Sequence, residues 1–307
     1  DRLTILNLHS NELTGSIPVE IGNLRNLEHL LLHNNSLSGD FPDLRRLTRL
    51  KRIWFSGANN RIGEGDGVPT WLNGLTNLEE LNLWGNEMGG SIPRLSGLSN
   101  LKLLKLQNNS LTGSIPTWFG GMNSLSGLYL HNNGLTGSIP SELGQLTRLR
   151  RLWIDRNDLT GTIPPQLGDM SNLGTLNLHG NHLTGSIPTE LGDLSRLQHF
   201  ALHNNELTGS IPAVLGNLSE LTRLAVSNNR LSGTIPSELG DLGKLALLWL
   251  SMNDLTGTIP SELGDLGDTL TNIKLADNNF APGACVPSGL ANVATNDYSV
   301  AGLSVCN

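Results

Sequence analysis

Five large aromatic side chains, Trp54, Trp84, Tyr129, Trp153 and Trp249, recur at two equivalent points of a repeating unit. The chain holds only 13 aromatic residues (six Trp, two Tyr and five Phe), so this concentration on one kind of position is a surface feature. Rings with a polar edge recognise peptides and sugars, and water gives no reason to collect them. Lys105, Arg151, Asp155 and His179 occupy neighbouring points of the same unit. Trp54, Trp84, Lys105, Tyr129, Arg151, Trp153, Asp155, His179 and Trp249 are therefore the candidate ligand-binding residues. Catalysis has no comparable set. No Ser-His-Asp constellation, metal motif or paired carboxylates stands apart from the repeats.

The unit that must position these residues reads L-x-x-L-x-L-x-x-N-x-L-x-G-x-I-P-x-x-L-G-x-L and fills the chain from Leu3 to Phe280 in twelve copies. Copies begin at Leu3, Leu27, Leu50, Leu78, Leu101, Leu125, Leu149, Leu173, Leu197, Leu221, Leu245 and Leu270, most of them 24 residues apart. Such a period marks stacked coils, each burying its apolar side chains against its neighbours. In copy eight, Leu173, Leu176, Leu178, Leu183, Ile187, Leu191 and Leu194 form the predicted inward set. Leu176 and Leu178 alternate with polar residues, the period-two pattern of a short strand with one buried face. Gly185 permits a turn, Pro188 ends the extended stretch, and Leu191-Gly192 fits one short helical or 3₁₀ turn stopped by glycine. Asparagine returns at 11, 35, 86, 109, 133, 157, 181, 205, 229, 253 and 278, with Asn60 filling the slot in copy three. A short amide there satisfies backbone groups that a strand-to-loop corner leaves unpaired. That row reads as structural.

The L-T-G-x-I-P half, present as Leu13-Thr14-Gly15-Ser16-Ile17-Pro18 and again as Leu207-Thr208-Gly209-Ser210-Ile211-Pro212, resembles the plant-type, extracellular subclass of leucine-rich repeat proteins. The resemblance covers about nine-tenths of the chain. It implies an α/β solenoid: a right-handed horseshoe with a parallel β-sheet on its concave face and short helical or 3₁₀ turns on its convex face. It also implies use as a receptor ectodomain or secreted inhibitor. Residues 1–280 are then the solenoid and 281–307 a C-terminal cap closed by one disulfide between Cys285 and Cys306. The cysteine-bearing N-terminal cap usual in the subclass has no counterpart before Leu3: either the chain is trimmed there, or another segment or partner covers the open strand edge.

At 307 residues the chain is long enough for two ordinary domains, but unbroken periodicity favours one elongated domain. No run approaches the roughly 18 apolar residues of a membrane-spanning helix. No charged start followed by an apolar stretch marks a signal peptide. Both cysteines follow the last copy, which suits an oxidising compartment; two free thiols are the alternative. Neither has the paired ligands of a zinc site. Sequons at Asn34, Asn108 and Asn217 are glycan acceptors in a glycosylating cell, with Asn217 the best placed on an outer loop.

Copy three, Leu50 to Asn77, breaks the period through a Gly-rich insert around Gly63-Glu64-Gly65-Asp66-Gly67. It lacks the flanking elements and lysine of a phosphate loop, and Glu64 and Asp66 offer too few oxygens for calcium. It reads as a bulge at one edge of the binding face. His131, Asp155, His179 and His203 fall on four consecutive strands, about 5 Å apart. A metal site or pH-dependent grip is one reading, and plain duplication of an L-H-x-N unit is the other.

Along the outward strand positions nine cations, Lys51, Arg52, Lys102, Lys105, Arg150, Arg151, Arg156, Arg223 and Lys274, accompany five anions, Glu28, Glu79, Glu80, Asp155 and Asp277. This face is therefore about +4 on a chain of net charge −7. A cationic, aromatic-bearing face on an acidic body favours an anionic ligand: an acidic peptide or protein, or a uronate-type polysaccharide. It disfavours nucleic acid, whose phosphates the body repels. The expected function is a non-catalytic extracellular recognition module without a cofactor. An inhibitor of a cell-wall-degrading hydrolase is the second reading. A surface-structural, ice- or matrix-binding role through the Thr-Gly-Ser-Ile-Pro flank is the third. Ligand contact is expected between copies three and seven, roughly 19 Å at about 4.8 Å per strand.

Overall fold

The computed structural model describes residues 2–57, 59–63, 67–299 and 301–306. The calcium-ligand candidates Glu64 and Asp66 lie outside the described residues. The chain divides into two compact units, Asp1–Asp158 and Leu159–Asn307, built from the same repeat. Each copy contributes one three-residue strand. In the first unit these are Ile5–Asn7, His29–Leu31, Arg52–Trp54, Glu80–Asn82, Leu103–Lys105, Gly127–Tyr129 and Arg151–Trp153, paired in parallel in chain order. The second unit has Thr175–Asn177, His199–Ala201, Arg223–Ala225, Leu247–Trp249 and Asn272–Lys274, arranged likewise.

Alternation sorts the side chains, because successive residues of a strand point to opposite faces. Leu152 is fully buried, while Arg151 before it is exposed and Trp153 after it is half-buried. Register keeps like with like: Leu128 pairs with Leu104 on one side and Leu152 on the other. All seven apolar residues expected inside copy eight are buried. Short flanking pairs continue the coils, such as Thr112–Ser114 with Gly134–Ser138 in the first unit and Asp254–Gly257 with Asn279–Phe280 in the second.

The asparagine row works as a ladder. Asn157 Nδ2 donates to the carbonyls of Leu130, Ile154 and Asp155, and its Oδ1 accepts from Leu135 N–H, each at 3.1 Å. Asn60 fills the slot in copy three despite the insert: it is fully buried, donates to Phe55 O at 3.0 Å and accepts from Leu37 N–H at 2.9 Å.

One expectation is corrected. Gly192 does not stop its turn, since the 3₁₀ helix Thr189–Asp193 runs through it. A Cβ there would lie 2.9 Å from the carbonyl oxygen of Val214 on the next coil's turn. Glycine is required for close stacking of turns, not for termination. Gly185, with φ of 75°, does serve the turn assigned to it.

The second unit ends in a further strand pair beyond the last repeat strand. Strand Cys285–Val286 pairs with Ser304–Val305, and a disulfide joins Cys285 to Cys306. Thr295 accepts from Ile273 N–H at 2.9 Å, and Asp297 accepts from the N–H groups of Leu275 and Ala276, closing off backbone groups of the last strand.

Candidate ligand-binding face

Outward positions of five consecutive first-unit strands carry Trp54, Asn82, Lys105, Tyr129 and Trp153, each register-paired with the next. Two residues further along their copies stand Trp84, Gln107, His131 and Asp155. The rings form a connected group. Tyr129 meets Trp153 edge-on at 5.4 Å between centroids, and His131 lies 5.4 Å from Trp153. Lys105 Nζ stands 5.4 Å from the centre of the Tyr129 ring, within cation–π reach. At the other end His33 stacks on His9 and meets Trp54 edge-on at 5.2 Å.

Several cations counted from sequence are already engaged. Lys51 Nζ lies 2.7 Å from Glu28, Lys102 Nζ 2.8 Å from Glu79, and Arg52 Nε 3.2 Å from Glu80. The lysine contacts hold the Glu28 and Glu79 carboxyls below the ordinary glutamate range. Among the described residues, Lys105, Arg150 and Arg151 form no ion pair. Among the first unit's outward cations, those without an ion pair thus stand on or beside the strands of Lys105, Tyr129 and Trp153.

Burial sets the protonation states in this group. Asp155 is 4% exposed, and desolvation pushes its carboxyl up to about 6. Desolvation, helped by the Arg156 charge, brings His131 down to about 4. The imidazole is therefore neutral at pH 7, and Asp155 changes charge near pH 6.

A second signal was not read from the sequence. Six buried polar atoms of this unit have no hydrogen-bond partner among the described residues: His33 Nδ1, Trp54 Nε1, Asn82 Oδ1, Gln107 Oε1, His131 Nδ1 and Trp153 Nε1. An orphaned buried group costs about 1–3 kcal/mol, so these atoms are candidate contacts for the polar groups of a ligand. Asn82 and Gln107 were missed because their type says nothing of whether a partner is near. Their place in the outward rows was the available clue.

The second unit holds His179 and Trp249, which behave differently. Trp249 Nε1 donates to Asn272 Oδ1 at 2.7 Å, and Lys274 Nζ caps its ring at 4.3 Å. Its indole is satisfied within its own unit. His179 stacks on His203 at 4.3 Å and its Nδ1 lies 2.6 Å from Asn177 Oδ1. Among the described residues no group of three or more His, Cys, Asp or Glu side chains is arranged to hold a metal. No described helix is long and apolar enough to cross a membrane. Of the sequons, Asn108 accepts a hydrogen bond from Asn132 at 2.6 Å and Asn34 donates weakly to Ser10, while Asn217 lies exposed at the end of the turn Ala213–Asn217.

Two leucine-rich repeat models match the chain: one fits residues 94–135 and 147–207, and the other fits 2–24, 26–47, 77–98, 220–242 and 244–266. The chain belongs to the leucine-rich repeat family. Plant receptors are among its relatives. Pollen receptor-like kinase 2 of Arabidopsis thaliana is 35% identical over 113 residues, which is 29% of this chain and 17% of the relative. The Arabidopsis receptor kinase HAESA, solved with the peptide hormone IDA and the co-receptor SERK1, superposes with a TM-score of 0.86 at 35% identity, covering 94% of this chain and 48% of that one. A TDR receptor structure gives 0.83 at 31% identity, over 96% and 55%. This leucine-rich repeat chain thus spans about half the length of these solved receptor chains, and a far smaller share of the receptor-like kinase.

Proposed function

We propose that this leucine-rich repeat chain is a non-catalytic recognition module, at the cell surface or outside it, that binds an extended acidic peptide or protein segment. The ligand lies across the first unit's strands from copy three to copy seven. One observation carries the reading: the Tyr129–Trp153 ring pair sits beside Lys105 and Arg151, which form no ion pair among the described residues, and the Trp153 indole N–H has no acceptor among them. Rings supply contact area, the cations select for acid, and unsatisfied donors and acceptors demand a polar backbone. An amide backbone offers donors and acceptors in alternation, which suits this row better than the carboxylates and hydroxyls of a uronate chain. That a similar ectodomain was solved with a peptide hormone supports the same choice.

Selection of a displayed peptide library on the purified chain, followed by titration calorimetry, tests this. Enrichment of acidic sequences whose binding falls about tenfold or more with Trp153→Ala or Arg151→Ala is the expected outcome. Enrichment of basic or featureless sequences, indifferent to both changes, contradicts it.

A further inference from the structure

Trp54 and Asn82 occupy paired positions of adjacent strands. Each holds a buried polar atom with no partner among the described residues, a donor on Trp54 and an acceptor on Asn82. Asn82 is only 7% exposed, so its carbonyl oxygen is also shielded from water. On the other side Asn82 pairs in register with Lys105, whose ammonium reaches toward Tyr129 and leaves the amide unengaged. A lone buried acceptor next to a lone buried donor is a fixed chemical demand: one group that donates and one that accepts, side by side.

We propose that Trp54 and Asn82 form an amide-reading subsite that fixes the register of a bound peptide. An extended residue turns its own N–H and C=O to the same side. The N–H of one ligand residue donates to Asn82 Oδ1, and its C=O accepts from Trp54 Nε1–H. Both atoms are shielded from solvent, so engagement takes a side-chain rotation. This assignment rests on the peptide reading above and adds polarity to it. Copies three to seven span roughly 19 Å, and an extended chain advances about 3.4 Å per residue, so about six residues cover the row. The amide-read residue sits at the Trp54 end, and an acidic side chain sits at the other, against Arg151 on the strand of Trp153. Charge places one end of the ligand and amide recognition places the other.

An amide-to-ester scan of a selected hexapeptide tests the subsite. Each ester deletes one backbone N–H while leaving side chains intact. One ester near the end away from the acidic residue is expected to weaken binding to the unaltered chain about tenfold, with no further loss in Asn82→Ala. Trp54→Phe keeps the ring and deletes the donor, so it should also weaken the parent peptide; melting curves of both variants verify folding. A flat ester scan, or an unchanged Kd in Asn82→Ala while Trp153→Ala still abolishes binding, overturns the subsite and leaves the face intact. Failure of every peptide to bind overturns the peptide reading itself. Binding of chito-oligosaccharides instead, lost in Asn82→Ala, would assign the subsite to an N-acetyl sugar and overturn the peptide assignment.

Discussion

Asn157 accepts a hydrogen bond from Leu135 N–H, 22 residues earlier, and donates to Leu130 O on the same preceding coil, both at 3.1 Å. A single side chain therefore stitches one coil to the next. Because Asn157 is 6% exposed, water cannot replace it.

Replacing Asn157 with alanine strands the Leu135 N–H, while Leu130 O still accepts from Asn133 Nδ2 and Asp155 O from the Asn132 N–H. At about 1–3 kcal/mol for one orphaned buried group, a loss of that order is expected. Urea unfolding measures it. A loss below about 0.5 kcal/mol would show that the ladder is ornamental rather than structural.

The residue before the ladder asparagine carries a second backbone demand. Asn34, Asn108, Asn132, Asn204 and Asn228 all sit there with φ between 52° and 57°. Asparagine tolerates that left-handed region better than other side chains do. Met252 occupies the same slot at φ 57°, is 51% exposed and so gains little from packing. Met252→Asn should stabilise the chain by about 0.5–1 kcal/mol, seen as a higher melting temperature. An unchanged or lower value contradicts this account of the Asn-Asn dipeptides.

Acid response follows from Asp155 and His131. The folded pKa of Asp155, about 6, lies above its unfolded value, so its burial destabilises the fold above pH 6 and this is relieved as pH falls toward 4. His131 has the opposite sense. With a folded pKa of about 4 it favours the fold above its unfolded value near 6.5, and that favour drains away as pH drops from there to 4. The two slopes oppose each other between pH 4 and 6. Asp155→Asn should therefore show its largest gain in melting temperature over the parent at pH 7.5 and little at pH 4.5. His131→Gln should lose less on acidification than the parent. Differences that stay constant across pH 4–8 in scanning fluorimetry would refute both assignments.

Much of this was legible in the sequence, and the limits have physical causes. Leu176, Leu178 and Ile187 announce their burial by periodicity, and Asn60 keeps its role across an insert because the ladder needs an amide there. Charge was harder. Lys51, Arg52 and Lys102 counted toward a cationic face, yet Glu28, Glu80 and Glu79 reach them through side-chain rotamers that no spacing encodes. Trp249 shares its position with Trp54 and Trp153, but among the described residues its indole alone of the three finds an acceptor, Asn272 on the adjoining strand. Sequence gave position; hydrogen-bond satisfaction depended on neighbours one coil away.

That contrast supplies the most direct test of where the ligand sits. Calorimetric titration of a selected acidic peptide should compare Trp153→Ala, in the first unit, with Trp249→Ala, in the second. Affinity falling about tenfold or more in the former and less than about threefold in the latter is the predicted result. Loss of binding in Trp249→Ala with Trp153→Ala unaffected would contradict the account, placing recognition on the unit whose tryptophan is already satisfied.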